Sequence, residues 1–266
     1  MASSRHATRP RARRAATIPW GRAAVKGPYS VAMARIALVT GANRGIGHEV
    51  ARQLALRGDT VVLTARDQAT ADEAAAELRA GATVEGELLP CRLDVTDPAS
   101  VQRAADTVAE RHGRLDVLVN NAAIHYDTWQ RASDADLTVV REALETNLLG
   151  AWRTTLALLP LLRASGHGRV VNLSSESGSL ASMGGGTPAY SVSKAALNAL
   201  TRILAAELRR DRILVNAVCP GWVATDMGGP GGRPVAEGAA SVLWAVDLPD
   251  NGPTGGFFRD GHPLPW

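Results

Sequence analysis

The chain has 266 residues, 45% hydrophobic and 21% charged, enough for one substantial core and the make-up of a soluble globular domain. No apolar run approaches the ~18 residues of a membrane span, and Cys91 and Cys219, far apart, suit neither a disulfide framework nor a zinc site and read as small core residues. The net charge of +3 misleads: seven of the 29 cations fall in acid-free residues 1–32, and the remaining 22 face 26 acids, so a body of charge −4 gives no case for nucleic-acid binding.

Residues 1–32 lack helical or strand periodicity and contain three prolines. They read as a disordered basic extension, or as sequence upstream of the native start, because "MARIALVTG" from Met33 opens directly into a buried strand. A targeting peptide is the other reading, although no apolar core of secretory type is present.

From Arg35 the pattern alternates. "RIALVTG" is a first strand ending at Gly41, followed by a helix over "GIGHEVARQLALRG". "TVVLTAR" is a second, β-branched strand, and "ATADEAAAELRA" an alanine-rich helix. "LLPCRLDVTD" ends a third strand, and Asp97-Pro98 starts a helix to about Arg111. "LDVLVNNA" is the fourth strand; a long helical stretch runs from about Asp134 and is interrupted near Pro160. "GRVVNLSS" is the fifth strand, "YSVSKAALNALTRILAAELRR" a long helix, and "RILVNAVCPG" the sixth strand. "PVAEGAASVLWAV" reads as a short helix and "GGFF" as a last strand. This order implies an α/β fold: a doubly wound, Rossmann-type parallel sheet of about seven strands with helices on both faces, one domain over residues 33–266. Ligands bind such sheets at the carboxyl ends of the strands, where the chemistry-bearing residues here also fall.

"TGANRGIG", Thr40 to Gly47, joins the first strand to the first helix. Gly41 allows a tight turn, Gly45 lets backbone N–H groups approach a pyrophosphate, and Gly47 lets helix and strand pack closely. The spacing is G-x-x-x-G-x-G, and with "LDV", "NNAA", Thr146-Asn147, "VVNLSS", "YSVSK" and "PGWVATDM" the chain resembles the short-chain dehydrogenase/reductase family. "VVLTARD", "CPGWVATDM" and the tail "DNGPTGGFFRDGHPLPW" make it most similar to the carbonyl-reductase branch. Ala123 stands where the family usually has glycine, which should tighten that loop.

The resemblance implies a nicotinamide cofactor held by Gly41, Asn43, Arg44, Gly45, Ile46 and Gly47. Asp94 and Val95 would bracket the adenine, and Asn121, Ala122 and Ala123 would lie along the ribose. Pro220, Gly221, Val223 and Thr225 would close over the nicotinamide, Thr225 at its carboxamide. A carboxylate after the second strand would select NAD by binding the ribose 2′-OH. Here Ala65-Arg66 stands there, and Arg66 with Arg44 could clamp a 2′-phosphate, so NADP(H) is preferred, with NAD(H) possible and Asp67 a weakening influence.

Lys194 is one of two lysines beside 27 arginines, and the only one in the body, which suggests a position needing an ammonium. Tyr190 lies one helical turn before it on the same face. A nearby ammonium and the positive oxidised nicotinamide would lower the phenol's pKa toward the working range. By resemblance Tyr190 and Lys194 also touch the cofactor, Ser175 (preferred to Ser174) stabilises the substrate oxygen, and Asn147 holds a proton-relay water. Trp222 and Met227 are candidate substrate contacts; His125, Tyr126 and Trp129 read as an entrance wall or, more simply, a packed loop. The acidic residues show no metal-ligand spacing.

These features predict a cytoplasmic oxidoreductase moving hydride between NADPH and a small-molecule ketone, aldehyde or quinone, without nucleic-acid or membrane partners. The alternatives are a 3-oxoacyl-type reductase of the same family and a cofactor-sensing regulatory protein on the same fold, which would not need the Tyr190–Lys194 pair. The resemblance implies that helices at about 134–163 and 188–210 pair into a four-helix interface of a homodimer or homotetramer, and their apolar positions, more than one stripe, are consistent with a second buried face.

Overall fold

The computed structural model of the chain describes residues 34–81 and 84–266. The expectations for residues 1–32 lie outside the described residues. Strands β1 (Ile36–Val39), β2 (Thr60–Ala65), β3 (Leu88–Arg92), β4 (Val117–Asn120), β5 (Arg169–Leu173), β6 (Leu214–Val218) and β7 (Phe257–Arg259) pair in parallel in the order β3-β2-β1-β4-β5-β6-β7. This is the expected doubly wound sheet. An eighth strand, β8 (His262–Pro263), pairs antiparallel with β7 and is too short to leave a sequence pattern.

Side chains alternate along each strand, so the sheet feeds two cores. Ala37, Val39, Val61 and Leu63 pack with α1 (Gly45–Leu56), α2 (Gln68–Gly81) and α7 (Val235–Val246). Ile36, Leu38 and Val62 pack on the other face with α3 (Pro98–His112), α5 (Ala151–Ser165) and α6 (Pro188–Glu207). Among the described residues no helix is long and apolar enough to cross a membrane.

Two expectations need correction. The long helical stretch does not break at Pro160, which lies inside α5 with its side chain outward. A proline on the solvent side of a helix leaves a carbonyl that water can satisfy. The irregularity comes earlier, where α4 (Leu137–Leu144) passes through a π-turn at Glu145–Gly150 into α5. Cys91 is only partly buried, because β3 is an edge strand; Cys219 is a core residue as expected.

The contact that positions the functional region is between α6 and the 3-10 turn Glu176–Gly178, directly after β5. A Cβ on Gly178 would lie 2.7 Å from the Lys194 carbonyl carbon and 2.9 Å from its Cβ. The Asn198 amide also donates to the Gly178 carbonyl at 3.1 Å. Only glycine lets helix and turn come this close, since overpacking a tight contact costs about 1–3 kcal/mol. Gly178→Ala should therefore lower unfolding stability by about that amount, read from the midpoint of a denaturant titration at unchanged slope.

Candidate active site

Helix α6 begins with Pro188, which has no N–H, and buries one flank against β6 and the turn Glu176–Gly178 that follows β5. Tyr190 and Lys194 lie on that flank, 8% and 3% exposed. The Lys194 ammonium donates to the Leu173 carbonyl at 2.7 Å and stands 5.5 Å from the centre of the Tyr190 ring. Burial disfavours the charged form and pushes the Lys194 pKa down to about 8. Burial likewise pushes the Tyr190 phenol above its ordinary range, offset in part by a hydrogen bond with Ser175. In the protein alone burial is thus the largest influence on the phenol, and the ammonium faces a backbone carbonyl.

Ser175 caps the 3-10 turn, its Oγ accepting the Ser177 N–H at 3.2 Å. Ser174 points the other way, as strand alternation demands, and its buried Oγ has no hydrogen-bond partner. Ser175, rather than Ser174, thus caps the turn against which α6 packs. Asn147 sits in the π-turn, 1% exposed. Its Oδ1 accepts the Ile124 N–H at 2.8 Å, and its amide donates to the Ile124 carbonyl and to Ser193 Oγ, both at 3.0 Å. The side chain thus ties the segment after β4 to α6.

The glycine loop has the conformation its sequence requires. Gly41 and Gly45 have φ of 61° and 58°, and a Cβ on Gly47 would fall 2.4 Å from the Asn121 amide nitrogen and 2.7 Å from the Gly41 carbonyl oxygen. Asn121 donates to the carbonyls of Thr40 and Gly41, so its side chain braces this loop. Ala123 has no positive φ, and alanine fits there without backbone strain. Asp94 turns inward on Thr96, accepting both its N–H and its hydroxyl, and Val95 is buried. Asn43, Ile46 and Ala122 are half-buried along the same rim.

After β6, Pro220 and Val223 are buried, and Gly221 has a φ of 79°. The Thr225 methyl lies 3.4 Å from the position of a Gly45 Cβ, so this loop meets the glycine loop. Trp222 and Met227 are exposed, the Trp222 indole donating to the Gly228 carbonyl at 2.7 Å. Arg66 is exposed at the end of β2, while Arg44 pairs at 2.8 Å with Asp226 across the rim. Asp67 is exposed and engaged in a local cap, accepting the Thr70 N–H at 2.8 Å.

Three groups went unread in the sequence. Arg92 reaches the Arg66 carbonyl and adds a third guanidinium at this edge. Arg259 pairs with Glu176, next to Ser175. Asp127, wholly buried, accepts the N–H groups of Ala189 and Tyr190. None belongs to a local motif. Of the loop residues weighed above, Tyr126 packs edge-on to Tyr190 at 5.3 Å, His125 pairs with Glu142, and Trp129 is exposed.

Residues 35–233 match the family model described as short chain dehydrogenase. NADPH carbonyl reductase 3 of Mus musculus is 36% identical over 285 aligned residues, covering 87% of this chain and 98% of that protein. (+)-Neomenthol dehydrogenase of Capsicum annuum is 33% identical, covering 84% and 95%. Among solved structures, the NADPH-bound carbonyl reductase from chicken fatty liver superposes with a TM-score of 0.78 at 34% identity, covering 88% of this chain and 99% of that one. The chain therefore belongs to the short-chain dehydrogenase family, as an oxidoreductase of its carbonyl-reductase branch.

Proposed function

We propose that the protein is an NADPH-dependent carbonyl reductase acting on ketones, aldehydes or quinones, with Ser175, Tyr190, Lys194 and Asn147 as its working set. The observation that carries the reading is the buried Lys194 ammonium, bound to the Leu173 carbonyl at 2.7 Å and 5.5 Å from the centre of the Tyr190 ring, at the end of the strand that Ser175 follows. A regulatory protein that only senses cofactor would have no use for this pair.

The glycine loop fits a dinucleotide, since its glycines leave the backbone bare where a Cβ would intrude. Arg66 and Arg44 would hold a 2′-phosphate. The Arg44–Asp226 pair is exposed on both sides and worth little, so a phosphate could displace it. NADPH, when bound, supplies hydride to the carbonyl carbon. Tyr190, kept protonated by burial, donates its proton to the carbonyl oxygen, and Ser175 hydrogen-bonds that oxygen as charge develops. Lys194 steadies the phenolate left behind. With the Asn147 side chain committed to Ile124 and Ser193, its backbone is the part able to hold a relay water. Exposed Trp222 and Met227 give the substrate mouth an apolar wall open to varied carbonyl compounds. The free thiols of Cys91 and Cys219 suit the reducing cytoplasm in which we place the enzyme.

The same proposal makes the enzyme a homodimer or homotetramer. Leu149, Trp152, Leu156, Val192 and Ile203 are exposed on the π-turn, α5 and α6, supporting a face that a second copy would cover. A sedimentation mass at micromolar concentration should be a multiple of the monomer; a monomer mass would contradict it.

Cofactor choice should follow the guanidiniums. NADPH should exceed NADH in kcat/KM, and Arg66→Asp should shift that ratio toward NADH by about 10- to 100-fold, the worth of one charge-assisted hydrogen bond. Equal use of both by the unmodified enzyme would sink the assignment.

The lysine has its own test. Its pKa is lowered from 10.5 to about 8, so the ammonium is present below that pH and lost as pH rises through it. NADPH-driven reduction should accordingly decline above about pH 8. Lys194→Arg keeps a charge but replaces a compact ammonium with a planar fork, and should lower turnover at least ~100-fold with the fold intact. Steady-state kinetics beside a circular dichroism melt read both results; near-normal turnover would refute the role.

A further inference from the structure

Helix α6 starts without a cap of its own. Thr187 precedes it in the left-handed region, φ 45°, and its side chain bonds none of the first-turn N–H groups. Ser191 N–H reaches the Thr187 carbonyl at 2.8 Å, and Pro188 has no N–H to satisfy. The other two first-turn donors, Ala189 and Tyr190, point to one carboxylate from a different part of the chain. Asp127 Oδ2 accepts the Ala189 N–H at 2.9 Å, and Oδ1 accepts the Tyr190 N–H at 3.0 Å, across 62 and 63 residues of sequence. Asp127 is 0% exposed, and Gln130 donates a third hydrogen bond to it at 3.2 Å.

A wholly buried carboxylate is costly unless paired or hydrogen-bonded. Here it has three donors and the positive end of a 20-residue helix. Its neighbour Tyr126 packs edge-on against the Tyr190 ring, interplanar angle 89°. Backbone and ring of one tyrosine are thus held from the same short segment, which Asn147 in turn clamps at Ile124. A general cap would serve any first-turn donor; this one takes the N–H of Tyr190 itself.

We propose that Asp127 is a positioning residue for Tyr190, fixing the start of α6 so that the phenol meets the carbonyl oxygen in register. The inference rests on the reading of Tyr190 as proton donor. A displacement of about 1 Å at such a group can lower turnover on the order of 100-fold. Cofactor binding draws mainly on the glycine loop and the arginines at the rim, with Tyr190 and Lys194 as minor contacts, and should respond far less than turnover.

The test compares Asp127→Asn and Tyr190→Phe with the unmodified enzyme, counting functional sites by NADPH fluorescence titration so that turnover is expressed per cofactor-binding site. Asn keeps the volume but sets an N–H₂ against one backbone N–H. Asp127→Asn should lower turnover per site at least ~10-fold while NADPH affinity stays within about twofold. A residue that only stabilises the fold would reduce the number of sites and leave turnover per site unchanged; that outcome overturns the proposal. If Tyr190→Phe retains turnover, the proton-donor reading fails and the inference fails with it. If Tyr190→Phe is inactive and Asp127→Asn normal, only the positioning role falls. Amide hydrogen exchange on the unmodified enzyme decides the matter even if Asp127→Asn does not fold. Ala189 and Tyr190 should exchange as slowly as the centre of α6, whereas the fast exchange of a frayed first turn would overturn the anchoring.

Discussion

An ammonium group buried beneath the last carbonyl of β5 is the interaction from which the rest of this molecule follows. Placing a cation there is unfavourable, and the structure supports it with a 2.7 Å hydrogen bond to Leu173 and a matching fall in basicity. To reach that carbonyl, α6 must lie against the strand ends, which is why the turn after β5 carries Gly178. The strand ends must be immobile in turn. A buried ladder provides this: Asn120 donates to Asn172 and Thr155, and Asn172 to Thr201 on α6, joining β4, β5, α5 and α6. Buried polar networks favour one arrangement, although this one leaves the Asn120 Oδ1 without a partner. Here they fix the floor of the site.

Much of this was legible in the sequence, for identifiable reasons. Strand ends show as apolar runs closed by Gly41, Arg66, Asn120 and Ser174, and the i, i+4 spacing of Tyr190 and Lys194 survives any small error in where α6 begins. Local geometry decides those features. The π-turn was not legible, because proline is the visible helix breaker and a π-turn has no composition of its own. It is tertiary fit that sets it: Asn147 is drawn to Ile124, and a Cβ on Gly150 would lie 2.7 Å from Val95. Asp127 and the Arg44–Asp226 pair were hidden for a plainer reason, since only folding brings residues 62 and 182 positions apart together. Arg44 shows the difference most clearly: its charge could be read from the chain, but not the carboxylate it faces.

The acid–base character of the site also differs from what adjacency alone suggests. A lysine next to a tyrosine invites the inference of a phenol made acidic by a cation. Burial instead drives both groups toward their neutral forms, raising Tyr190 and lowering Lys194. For a reductase this is the useful direction. A proton donor must hold its proton until the substrate oxygen becomes basic, and a desolvated phenol does so. The low-dielectric surroundings that keep the tyrosine neutral also strengthen its attraction to the ammonium once charge appears.

The molecule is held in two different ways, and the division follows the boundary of the site. The interior set is fixed by bonds to backbone groups in buried positions: Lys194 to Leu173, Asn147 to Ile124, Asp127 to Ala189 and Tyr190. The rim is tied by exposed or half-exposed ion pairs: Arg44 to Asp226, Arg233 to Asp260, Arg259 to Glu176. Pairs of the second kind contribute little and yield readily to a charged ligand. On the proposed reading, the floor of the site has to keep its geometry through turnover, while the loop over it has to let a dinucleotide and a carbonyl compound in and out. Strong bonds below and weak ones above satisfy both demands within a single domain.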